Sequence, residues 1–137
     1  MTAIETKINS FYQEAQESVN EIIEGSDEHL DLILSITKPL DNINKKFAEL
    51  NESLFNGMNG YSIEDFNNIL PKLKGINKLC MTLIGAIARS GLYRDVRIAL
   101  KEFYKQHDLL REIIHDIHLI LSKDDSIDQI MLEINEL

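Results

Sequence analysis

A single cysteine in 137 residues leaves no basis for a disulfide framework or a cysteine-based zinc site. Tryptophan is absent, and Tyr61, Tyr93 and Tyr104 are scattered, so no aromatic platform for stacking bases is offered. The 6 glycines form no phosphate-binding loop, nucleophile elbow or dinucleotide fingerprint. Basic residues are the minority, 14 against 23 acidic ones, and the formal net charge of −9 argues against indiscriminate attraction to nucleic acid. The longest apolar run, Leu79 to Ala88, is interrupted by Thr82 and is too short to span a bilayer. No N-terminal stretch resembles a signal peptide, so a cytoplasmic protein without membrane contact is expected. What remains is ordinary for a folded chain: 44% hydrophobic and 27% charged residues, in a length that suits one domain over residues 1–137.

Helical periodicity is the dominant signal. Ile4, Ile8, Phe11, Ala15, Val19 and Ile22 fall mostly three or four apart, which places them on one helix face. Thr2 and Glu5 have capping-box spacing, and Gly25 is read as the stop. The second segment steps through Ile33, Ile36, Leu40, Ile43, Phe47, Leu50 and Leu54 without losing phase at Pro39. One kinked helix is therefore predicted, ending at the Asn-Gly pairs of 56–60. A third, capped by Ser62 and Asp65, carries Phe66, Ile69, Leu73, Ile76, Cys80, Leu83 and Ile87 through a second kink at Pro71. Its stretch Leu79–Ile84 is apolar on nearly every side, which predicts the most buried part of the molecule, with Gly85 admitting a neighbouring helix. A fourth runs from Leu92 through Val96, Phe103, Leu110 and Ile117 to Leu121, and Ser122-Lys123-Asp124-Asp125 is read as its end. Ser126 and Gln129 then cap a short fifth helix. The prediction is all-α: an up-down four-helix bundle with helices near 2–24, 27–55, 63–89 and 92–121, and a C-terminal appendage at 126–136. The heptad-like seams also suit a coiled coil or bundle completed by a second chain.

Charge is unevenly spread. Residues 1–71 hold 4 basic and 13 acidic side chains, residues 72–111 hold 9 and 3, and residues 112–137 hold 1 and 7. Glu14, Glu17, Glu21 and Glu24 form an acidic stripe on the first helix, expected to point outward, either as a solvated face or to meet a basic protein surface or the basic stripe of a second copy. Arg94, Arg97, Lys101 and Lys105 form a basic stripe nearly opposite the apolar face of the fourth, helped by Lys72, Lys74 and Lys78. It suits a second copy of the chain or a polyanion such as RNA or DNA.

Candidate chemistry is sparse. His107 and His118 are expected at the edge of the apolar face, and His115 with His118 supplies at most two metal ligands. Glu112-x-x-His115 matches one half of a di-iron motif, but no second copy exists and Glu112 falls on the outer side of its helix. Asp124, Ser126 and Asp128 alternate like a calcium loop in which Gln129 stands where glycine is required. Cys80 lies on the core register. Arg111 and His118 are separated by six residues, which resembles the Arg-x4–6-His signature of HEPN-type ribonucleases. That resemblance implies a dimer pooling two motifs at one RNA-cleaving site, with a helix break between Arg111 and His118. No metal or cofactor is expected. The sequence therefore favours a non-enzymatic bundle acting through protein–protein contact, as an adaptor, inhibitor, immunity-type factor or structural subunit. Nucleic-acid binding through the basic stripe is the alternative, with HEPN-like cleavage a lesser one.

Overall fold

Each apolar seam closes into a helix because burying one stripe of a 3.6-residue spiral against neighbours outweighs intrinsic propensity. The computed structural model describes residues 3–27, 32–90 and 96–136, with side chains placed at 3–23, 36–89, 96–123 and 134. Among the described residues the elements are α1 (Ala3–Asp27), α2 (Leu32–Gly57), α3 (Ile63–Ser90) and α4 (Arg97–Glu136), with a 3-10 turn at Met58–Gly60. No strand occurs among them.

The principal contacts join α1 to α2 and α3, and α4 to α2 and α3. Paired positions show how the helices run. Lys7 meets Ser53 and Glu14 meets Lys46, so α1 and α2 run in opposite senses. Asn44 meets Ala99 and Asn51 meets Gln106, so α2 and α4 run in the same sense. Phe47 of α2 sits at the centre, its ring 4.9 Å from Phe11 of α1 and 5.9 Å from Phe103 of α4. Ile69, Leu73, Ile76, Leu83 and Ile87 bring the α3 seam into the same core.

Local chemistry explains the ends. Asp65 N–H donates to Ser62 Oγ and Ser62 N–H donates to Asp65 Oδ2, a reciprocal cap at the start of α3. Gly57 ends α2 where any Cβ would collide with the Tyr61 ring, which lies edge-on to Phe66 at 5.8 Å. Both prolines are carried inside their helices, Pro39 in α2 and Pro71 in α3.

Four expectations are corrected. Gly25 does not stop α1, which continues to Asp27; a helical glycine costs only about 1 kcal/mol. There is no separate fifth helix, because α4 is continuous for 40 residues through 122–125. That segment contains neither glycine nor proline, and Ser and Asp cost about 0.5 kcal/mol each inside a helix. The apolar pattern shifts phase after Leu121, which mimics a new element. The stretch Leu79–Ile84 is not buried all round: Cys80 and Leu83 are, whereas Met81 is 56% exposed. Helix α3 packs chiefly on α1 and α4 and leaves a third side open. Nor, among the described residues, does a helix approach Gly85, where an added Cβ would meet the side chain of Arg89 one turn on. Thr2 and the start at Leu92 lie outside the described residues.

Outer face of the fourth helix as the candidate site

The two charge stripes have different fates. Glu14 binds Lys46 Nζ at 2.9 Å across the α1–α2 seam, so one member of the acidic stripe is already partnered. Glu14, Glu17 and Glu21 line a groove between α1 and α2 that Asn42 and Lys46 close from the far side. Glu17 and Glu21 are exposed as expected, and only Glu14 departs from the outward projection, leaving its helix sideways at roughly 100° per residue to reach the neighbour. Glu24 lies outside the described side chains.

The basic stripe does face solvent. Arg97, Lys101 and Lys105 are exposed on α4, and Arg94 lies outside the described residues. Among the supporting lysines, Lys72 donates from Nζ to Asn9 Oδ1 at 3.2 Å across the α1–α3 seam, while Lys74 and Lys78 are exposed on α3. Sequence reasoning missed the C-terminal half of the same α4 face. Asp108, Glu112 and Asp116 are exposed there, extending the spacing of Lys101 and Lys105 with the opposite sign. Ile98 (85% exposed), Tyr104, Leu109 and Leu119 stand among them as exposed apolar side chains. A three-residue step from Lys105 to Asp108, followed by four-residue steps, was the available signal.

This order is unfavourable for a helix alone. Arg97, Lys101 and Lys105 are successive like charges four apart, as are Asp108, Glu112 and Asp116, and each such pair costs about 0.2–0.5 kcal/mol. Arg97 lies in the first turn, where the helix dipole disfavours a cation. Asp108 turns toward Arg111, at 3.9 Å with both side chains mostly exposed, a contact of little energetic worth. Among the described residues no side chain pairs with Lys101 or Lys105.

The chemically capable residues are dispersed. His107 is not a boundary residue: it is buried, its Nε2 is 2.6 Å from Asn77 Oδ1, and its ring stacks on Phe103. The neutral tautomer with hydrogen on Nε2 donates to Asn77. Burial holds the His107 ring below its ordinary pKa, helped by the Arg111 cation and opposed by Asp108. As pH falls, the unfolded chain therefore takes up this proton before the folded one does. Stability is expected to be fully present above the ordinary histidine value and to decline from pH about 7 toward 5. Urea unfolding of His107→Gln, which keeps an N–H toward Asn77, is expected to show a flatter slope over that window than wild type. Cys80 is buried, and burial pushes its thiol up to about 12, which makes it inert. His115 and His118 are exposed, and α4 runs unbroken through Arg111 and His118, leaving them about 10 Å apart along the axis. Among the described residues no three His, Cys, Asp or Glu side chains converge as metal ligands, and no helix is long and apolar enough to cross a membrane.

Inside the molecule, a polar pair faces α4. Asn44 Nδ2 donates to the Ala99 carbonyl at 2.8 Å, and Asn51 Nδ2 donates to both the carbonyl and Oε1 of Gln106 at 3.0 Å. Both asparagines are buried and sit two turns apart, so they fix α2 against α4 in one register. The signal was present, since Leu40, Asn44, Phe47, Asn51 and Leu54 form a second 3-4 seam. Comparison with protein-family models, curated proteins and solved structures finds no match to this chain.

Proposed function

We propose that this chain is an up-down four-helix bundle that acts by binding protein through the outer face of α4, without catalysing a reaction. The opposed sense of α1 and α2 and the shared sense of α2 and α4 support that topology. The observation that carries the function is the composition of the α4 face, where exposed Ile98, Tyr104 and Leu109 alternate with charges of both signs. Apolar anchors within a charged surround suit a protein partner. A phosphate backbone would be repelled by Asp108, Glu112 and Asp116, although Arg97, Lys101 and Lys105 keep nucleic acid as the second reading. The buried, unpaired Cys80 suits a cytoplasmic setting.

The test compares wild type with Ile98→Asp/Leu109→Asp. A tagged wild-type chain is expected to retain protein at fixed stoichiometry, and the double variant to lose it while keeping its helical content. Equal retention by both would contradict the reading. So would salt-sensitive binding of a labelled oligonucleotide that Lys101→Glu/Lys105→Glu abolishes, which would establish the nucleic-acid alternative.

A further inference from the structure

Along the exposed row Arg97, Lys101, Lys105, Asp108, Glu112 and Asp116 of α4 the charges change sign once, between Lys105 and Asp108, with exposed Arg111 beside the row and exposed Lys123 beyond it. On the N-terminal side stand Arg97, Lys101 and Lys105; on the C-terminal side stand Asp108, Glu112 and Asp116. The two halves are mirror images in spacing about the midpoint between Gln106 and His107. A face of this kind is complementary to itself when turned end for end.

We propose that the partner of this face is a second copy of the chain, docked with its α4 antiparallel about a two-fold axis beside residues 106 and 107. The inference rests on the protein-binding reading above and deepens it. In this register Lys101 comes level with the partner's Glu112, and Lys105 with the partner's Asp108. Two-fold symmetry repeats both pairs, because in an isologous contact each patch meets its own image. Arg97 comes level with the partner's Asp116 at the outer edge. The like-charge repulsion along each helix is thereby answered across the interface, and the cation in the first turn of α4 faces an anion. A parallel docking would instead set Lys101 and Lys105 against the same lysines. An unrelated partner would have to reproduce both halves of the pattern, whereas a second copy supplies them by symmetry.

Sedimentation equilibrium of the full chain tests this. Wild type is expected to reach the mass of two chains at low salt. It is expected to fall toward one chain as salt rises from about 0.01 to about 1 M, which shortens the screening length from roughly 30 to roughly 3 Å. Of the six charges, Lys101→Glu/Lys105→Glu leaves Arg97 as the one cation, and Asp108→Lys/Glu112→Lys leaves Asp116 as the one anion. Each double variant alone is expected to remain one chain, and an equimolar mixture to form a one-to-one heterodimer. Recovery in the mixture shows that both variants are folded. A monomeric wild type at low salt would overturn the proposal, as would a double variant that dimerises like wild type or a mixture that stays monomeric. If wild type is monomeric while Ile98→Asp/Leu109→Asp still abolishes capture of a different protein, self-association fails and the protein-binding reading stands. If that capture is also unaffected, both fail.

Discussion

Phe47→Ala is expected to lower the unfolding free energy by about 3–5 kcal/mol, the usual range for removing a buried phenyl ring. Phe47 is fully buried and its ring bridges Phe11 and Phe103, so the void would open where three helices meet. The neighbours cannot collapse into it without shifting a helix, because they are themselves part of the core. Small domains are stable by about 5–15 kcal/mol in total, so this one substitution removes a large share. At roughly 4 °C per kcal/mol for a chain of this size, the midpoint of thermal unfolding is expected to fall by about 12–20 °C. Differential scanning calorimetry reads this directly. A fall below about 1 kcal/mol, well under the range for such truncations, would show that Phe47 is not the hub of the core.

Asn51→Asp is expected to be nearly as damaging, for an electrostatic reason and with a pH signature. The Nδ2 group of Asn51 is held by the carbonyl and the side-chain oxygen of Gln106. An aspartate there is nearly isosteric, yet it sets a buried carboxylate oxygen against two acceptors. An uncompensated buried charge costs about 3–5 kcal/mol. Burial and facing oxygens both raise the folded pKa of such a carboxyl above its ordinary value. Its folded form is therefore favoured below that ordinary value, and stability is lost as pH rises through the raised one. The variant is expected to lose its penalty as pH falls from 7 toward 4. The His107 effect is common to both proteins and cancels, so the difference between variant and wild type should narrow steadily in urea titrations as the new carboxyl is protonated. A difference that is constant with pH would mean that the new carboxylate reaches solvent.

The Oδ1 atoms of Asn44 and Asn51 accept no hydrogen bond among the described residues. Each asparagine thus spends one buried polar atom to bond a carbonyl of α4. An apolar residue at either place would fill the same space without specifying which turn of α4 it meets. Registry is the best-attested use of a buried asparagine between helices.

The fold was largely legible because three seams are regular over their whole length. Ile4 to Ile22, Ile36 to Leu54 and Phe66 to Ile87 are all in the observed core, as is the cap at Ser62 and Asp65. Punctuation misled at two places, and at the second the phase shift after Leu121 reinforced it. Gly25 and Ser122–Asp125 look like stops, yet neither carries a penalty that an established helix cannot absorb. The face of Met81 was illegible for another reason. An apolar side chain does not reveal how many neighbours its helix has, and α3 packs chiefly against two. At the candidate site the cations were read correctly as outward, but as an isolated stripe. Their meaning depends on Asp108, Glu112 and Asp116 sharing the face, and on Ile98 and Leu109 remaining exposed. Exposure of those two apolar side chains is a property of the assembled bundle, not of α4 alone.

The most direct measurement is the distance between spin labels placed singly at His115→Cys and Ser122→Cys, both exposed on α4. Cys80 is buried and its thiol is pushed up to about 12, so labelling is selective for the introduced sites. About a two-fold axis beside 106 and 107, the two copies of position 115 stand about 26 Å apart along the axis, and those of 122 about 47 Å, at about 1.5 Å per residue. Dipolar spectra are expected to give a distance at 122 that exceeds that at 115 by about 20 Å, the axial rise setting the gap. Equal short distances at both sites would mean parallel helices, and no dipolar coupling at either would mean that α4 meets no second copy; either result contradicts antiparallel self-docking.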